Sequence, residues 1–192
     1  TAWAKTGKSS REGQVPGCIR KAAQGKGWLE RTLWGLRDQE GGWIGAAVAN
    51  TNGTHGLGPL QVNSWWVPKI AVLVGRPEPH VRYWLQNDAC FNAEAARWIF
   101  LSGLAVTGDY WTAIGVYHSP TASRQVRYVT SVATHMRNRY GGAIWRTPFS
   151  SLAAETAVLQ WAKQTKVRQE DRKDDVGRYE LVAEHVSDTK HF

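Results

Sequence analysis

Glu40 ends the stretch LWGLRDQE and is followed by GGWIGAA, so an acid stands where a helical pattern gives way to glycine. A carboxyl group at the C-terminal end of a helix meets the negative pole of the macrodipole, which favours its neutral form. Apolar cover from Trp43, Leu57 and Leu60 would act in the same direction. A glutamate so placed stays protonated near neutral pH and can serve as a general acid. Left uncovered, it is an ordinary solvated side chain near a helix end. Asp38 is the nearest second carboxylate, but residues two apart on a helix project toward nearly opposite faces, which argues against a paired-carboxylate mechanism.

Other chemistries find less support. The six histidines show neither HExxH nor another tight ligand spacing, so no metal site is indicated. There is no Walker-type glycine loop, dinucleotide fingerprint or GxSxG elbow, and no cofactor is expected. Cys18 and Cys90 lack the spacing of a zinc site or a redox pair; composition is compatible both with one long-range disulfide and with two buried thiols. His118, in GVYHSP, reads as a structural histidine in a turn or as an acid–base group. Tyr117 and Tyr128 read equally as core residues with satisfied hydroxyls or as site residues.

The elements that must position these groups are helical. Apolar residues recur at three- and four-residue intervals without sustained alternation, which predicts an all-α fold. In WLERTLWGLRDQE, Trp28, Leu29, Leu33 and Leu36 share a face and Gly41-Gly42 ends the helix. AAVANTNGTHGLG is read as a polar loop, and Ser64 as the cap of a helix through WWVPKIAVL. Asn92 is read as the N-cap of a long helix closing at Gly108, and Asp109 as the cap of a short helix stopping before Pro120. A last strong helix, SRQVRYVTSVATHMRNRYGG, carries Val126, Val129, Val132, Ala133 and Met136 on one stripe.

Length and charge bound the organisation. A chain of 192 residues supports one sizeable core, read as a domain over residues 1–145, followed by a helical or partly disordered extension over 146–192, where the composition becomes densely charged. The net charge of +8 favours a polyanionic partner: nucleic acid, a membrane surface or an anionic wall polymer. The charges are scattered rather than gathered on one face, which disfavours nucleic acid. Eleven tryptophans offer flat faces for bases, sugar rings or the core. No apolar run approaches membrane-spanning length, and a soluble, processed chain is expected.

Four segments in order, the helix ending at Glu40, GPLQVNSWW, GVYHSP and RYVTSV, resemble the lytic transglycosylases of lysozyme-like fold, related to goose-type lysozymes. The likeness is greatest to the small enzymes that accompany type III and type IV secretion, conjugation and pilus systems. It runs from about Pro16 to Tyr140. CIRKAA and NDACFN resemble the family's two cysteine segments, which implies a Cys18–Cys90 disulfide and an oxidising, periplasmic location. The resemblance implies Glu40 as the single catalytic acid and base, and Gln61, Asn63, Tyr117, His118 and Tyr128 as substrate-binding residues. The implied partner is the peptidoglycan glycan strand, and beyond it a component of a secretion, conjugation or pilus machine; a monomer is expected. Three positions depart from the family pattern: Gly41 replaces a serine, Pro59-Leu60 replaces leucine-methionine, and His118 replaces an asparagine. A muramidase using water and a non-catalytic wall-binding protein are the competing readings on the same fold.

Overall fold

The computed structural model describes residues 11–119 and 122–145, so the expected extension over 146–192 lies outside the described residues. Among the described residues the chain is mostly helical, with a small antiparallel sheet, and it divides into two compact units. Of the described residues, one holds 11–99 together with Thr130–Arg139, and the other holds those of 100–129 and 140–145.

In the first unit, α1 (Val15–Ala23) has Pro16 in its first turn and closes on Gln24 in the left-handed conformation. Next comes α2 (Gly27–Glu40), whose Leu29, Leu33 and Leu36 recur at four- and three-residue spacing and are fully buried, as the periodicity predicts. Gly41 stops α2 at φ 60°, and its N–H donates to the Arg37 carbonyl at 2.9 Å. Cys18 of α1 is bonded to Cys90, 72 positions further on, with an S–S distance of 1.99 Å.

Between α2 and the next helix the expected polar loop is instead a meander of three short strands: β1 (Ala47–Ala49), β2 (His55–Leu57) and β3 (Val62–Asn63). Ala47 stands opposite Leu57 and Ala49 opposite His55, while Leu57 also faces Val62. Strands of two or three residues are too short to show an alternation, so the polar-loop reading missed them. The β1–β2 turn is held by its own side chains. Asn50 Nδ2 donates to Thr54 Oγ1 at 2.9 Å, and Thr54 Oγ1 to Asn52 Oδ1 at 2.7 Å.

A 3-10 turn, Ser64–Trp66, leads into α3 (Val67–Val74). The expected cap at Ser64 is corrected by one residue. Asn63 Oδ1 accepts from the Trp65 N–H at 2.9 Å, whereas Ser64 Oγ accepts from the His55 N–H at 2.9 Å and fastens the turn to β2. After α4 (Glu78–Asn87) and α5 (Ala89–Thr107) a second cap is corrected. Asp88 Oδ1 accepts from the Cys90 and Phe91 N–H groups at 2.9 and 3.0 Å, so Asp88 opens α5 and Asn92 lies inside it.

In the second unit, the part of α5 from Phe100 onward ends at Gly108 (φ 65°). Asp109 caps α6 (Tyr110–His118), its Oδ1 accepting from the Thr112 N–H at 2.7 Å and the Thr112 hydroxyl at 2.6 Å, as the sequence predicts. The last α-helix among the described residues, α7 (Ala122–Tyr140), buries Tyr128, Val132 and Met136, whereas Val126 is 68% exposed. Its inward stripe therefore starts at Tyr128, and Val126, expected within it, is corrected to the outer surface. An aromatic residue with a polar tip thus takes the inward place that a purely apolar pattern gives to valine.

Back in the first unit, Gly35 lets the Thr130–Arg139 part of α7 approach α2. A Cβ at residue 35 would lie 2.5 Å from Met136 Cγ and 3.1 Å from Val132 Cγ1. Arg139 closes the same pairing. Its Nε and Nη2 donate to the two Asp38 carboxylate oxygens at 2.7 and 2.8 Å, and its guanidinium lies 3.9 Å from the Trp34 ring centre.

Candidate functional site

Glu40 is the last residue of α2 and is half-buried. The chain after it is fixed by contacts that only glycine permits. A Cβ on Gly42 would collide with the Gly58 carbonyl oxygen and would come within 2.8 Å of Gln61 Nε2 and the Pro59 carbonyl oxygen. The acid is thus two residues from a backbone seated on the β2–β3 turn, Gly58–Gln61. Ile44 continues the restraint, its N–H donating to Glu12 Oε1 at 2.6 Å. Of the apolar residues expected around the acid, Leu57 and Leu60 are fully buried, and Trp43 keeps 42% of its surface exposed. Asp38 has its carboxylate taken by Arg139.

The β2–β3 turn is organised by Asn92. Its Nδ2 donates to the Leu57 and Leu85 carbonyls, each at 2.8 Å, and its Oδ1 accepts from the Leu60 N–H at 2.9 Å. Every bond runs to backbone of another segment, and the side chain is fully buried. Gly58 fits this clamp because a side chain there would strike the Leu85 carbonyl oxygen and come within 2.6 Å of Asn92 Nδ2.

Gln61 adopts φ 48°, an uncommon backbone state for a residue with a side chain. Its Nε2 donates to the Gly58 carbonyl at 2.8 Å, and its amide lies so close to Gly56 that a Cβ there would collide with Oε1. The side chain is folded back over the turn, a geometry that the glycines at 42, 56 and 58 permit. The oxygen of Asn63 is engaged as the cap at Trp65.

A tryptophan ladder follows. Trp65 meets Trp66 edge-on at 4.9 Å, and Trp66 meets the buried Trp98 edge-on at 5.6 Å. Lys69 Nζ stands 3.7 Å from the Trp65 ring centre and 5.0 Å from that of Trp66. Burial lowers Lys69 to a pKa of about 8, against the opposing preference of the ring faces for the ammonium.

The remaining expected site residues belong to the second unit. Tyr117 is half-buried on α6, and Tyr128 is buried on α7. The His118 ring stacks parallel on Tyr128, with 4.4 Å between centres and 6° between planes. Burial first, and then the positive charge of Arg124, hold His118 below the usual imidazole range. The α6–α7 connection is pinned by Gln125 Nε2, which donates to the Ser119 carbonyl at 2.9 Å. Gly115 makes room for Gln125, whose Cβ would be 2.8 Å from a Cβ at 115.

Among the expected residues, the structure brings Gln61 against the glycine two places after Glu40 in one unit, and His118 against Tyr128 in the other. Sequence reasoning missed Asn92 as a clamp, and missed Lys69 with its ladder of tryptophans. The signal for the first was the density of glycine around the turn; for the second it was the four-residue interval from Trp65 to Lys69. No protein-family model matches the chain, and no curated protein matches it in sequence.

Proposed function

We propose that the chain is a peptidoglycan lytic transglycosylase of lysozyme-like fold, in which Glu40 alone acts first as acid and then as base. The observation that carries this reading is the placement of Glu40. A half-buried glutamate ends α2, and the chain two residues later is seated without a side chain on the Gly58–Gln61 turn. An acid followed by backbone seated in this way, with the carboxylate nearest to it in sequence, Asp38, bound by Arg139, suits a mechanism that uses one proton-transfer group.

In the proposed reaction Glu40 protonates the oxygen linking N-acetylmuramic acid to N-acetylglucosamine, and the C1–O bond breaks toward an oxocarbenium-like centre. The resulting carboxylate accepts the proton of the muramic C6 hydroxyl, whose oxygen closes on C1. The products are a 1,6-anhydro end and a free sugar hydroxyl, with no water consumed. Gln61 and Asn63 are assigned to the glycan-binding surface of the first unit, and Tyr117, His118 and Tyr128 to that of the second. The net charge of +8 supports attraction to an anionic wall. The Cys18–Cys90 bond suits an oxidising compartment, and no helix among the described residues is long and apolar enough to cross a membrane. Both are compatible with a periplasmic protein that opens the wall for a secretion, conjugation or pilus apparatus.

Purified peptidoglycan incubated with the protein and analysed by mass spectrometry tests the reading. Anhydro-muropeptides are expected from the wild type, and Glu40→Gln is expected to lower their release by at least about a hundredfold with the circular dichroism spectrum unchanged. Reducing ends without anhydro sugars would identify a muramidase, and unchanged turnover in Glu40→Gln would remove the mechanism.

A further inference from the structure

One side chain grips the last turn of α2 from behind. Trp34 and Asp38 are four apart on α2 and share a face, and Arg139 of α7, 101 positions beyond Asp38, meets both. Its Nε and Nη2 donate to the two Asp38 carboxylate oxygens at 2.7 and 2.8 Å, and its guanidinium lies 3.9 Å from the Trp34 ring centre. This is not a loose surface pair. The contact is bidentate, and the Asp38 side chain keeps only 17% of its surface exposed. Glu40, two places beyond Asp38, projects from nearly the opposite side of the helix, so Arg139 stands behind the acid. Ahead of the acid, the backbone at Gly42 is seated on the Gly58–Gln61 turn. Glu40 therefore lies between two anchors. The helix end between them needs both, because the last carbonyls of a helix lack intrahelical partners and α2 closes on the bond from the Gly41 N–H to the Arg37 carbonyl.

We propose that Arg139 is a positioning residue for Glu40: it holds the last turn of α2 in place, so that the carboxyl group meets the glycan from one fixed point. The catalytic consequence rests on the glycan-cleaving reading, whereas the grip itself rests on the contacts to Asp38 and Trp34 alone. Arginine suits this task for a chemical reason. Its planar fork matches both oxygens of a carboxylate while its flat face lies on an indole, and lysine would supply the same charge through a single point. Holding Asp38 at two atoms fixes the direction of that side chain, and with it the helix end that bears the acid. Displacing a reacting group by about 1 Å costs on the order of a hundredfold in rate. A grip on the far side of the helix thus bears on turnover without touching the glycan. Its loss falls on kcat rather than KM, because the turn bearing Gln61 is held separately by Asn92.

Arg139→Gln and Arg139→Lys in the full chain test the proposal by two measurements. In amide hydrogen exchange, the Gly41 N–H of Arg139→Gln is expected to exchange at least about tenfold faster than in the wild type, while the Ile19 and Ala22 amides of α1 stay within about twofold. On soluble glycan strands, kcat per folded molecule is expected to fall at least about tenfold with KM within about threefold. Arg139→Lys should lie between the wild type and Arg139→Gln in both. Charge is separated from grip by Asp38→Asn/Arg139→Gln, which leaves no uncompensated carboxylate at residue 38; turnover is expected to stay low. Recovery of wild-type turnover in that double variant overturns the positioning role. So does a Gly41 amide that is unchanged, or that quickens only in step with α1, the mark of a general loss of stability. If Arg139→Gln does not fold, Arg139→Lys decides by the same two measurements. A wild type that releases no anhydro products removes the cleavage reading, and the Gly41 exchange still decides the grip.

Discussion

Asn92 does more for the candidate site than any other uncharged side chain described. One carboxamide joins β2, the β2–β3 turn and the end of α4, and all three of its partners are backbone groups away from water. Asn92→Ala removes all three of these buried bonds at once, and a loss of about 3 kcal/mol or more is expected in urea denaturation. Asn92→Asp keeps the shape but sets a carboxylate against the Leu57 and Leu85 carbonyl oxygens, and should be no better tolerated. A second prediction at this scale concerns His118. Its folded-state pKa lies below the ordinary 6.5, so between those values the unfolded chain binds more protons. The stability held above pH 6.5 is therefore lost as pH falls through the folded value. Thermal midpoints measured across that window should fall less in His118→Asn than in the wild type.

At the scale of elements, legibility followed length and capping chemistry. The Leu29, Leu33 and Leu36 stripe and the Asp109 cap were readable because a long period and an aspartate before a helix leave strong local signals. The sheet was not, because its strands of two or three residues cover little more than one cycle of the two-residue alternation that would reveal them. Asn92 misled for a physical reason: asparagine is favoured at helix starts, and only the fold shows that Asp88 already holds that place. The α2–α7 pairing rests on an absence of side chain that sequence could not interpret. Gly35→Ala should lower stability by about 1–3 kcal/mol through overpacking, although alanine is the better helix former. A denaturation midpoint at or above wild type would show that Met136 moves aside without cost.

For the whole molecule, the sequence predicts a mostly helical chain, and the likeness of its two cysteine segments to the transglycosylases implies the Cys18–Cys90 bond, whereas the strand register and the Asn92 clamp on β2 depend on distant segments that carry no local signal. The bond encloses α2 with Glu40, the entire sheet, α3 and α4 within one covalent ring. A break anywhere inside that ring does not divide the molecule. The β1–β2 turn, exposed at Asn50–Gly53, offers a protease an accessible place to cut. A chain nicked there should run as a single species on a non-reducing gel and separate into two fragments once the sulfurs are reduced. The severed ends would stay tethered, so a single proteolytic cut need not release the segment bearing the acid.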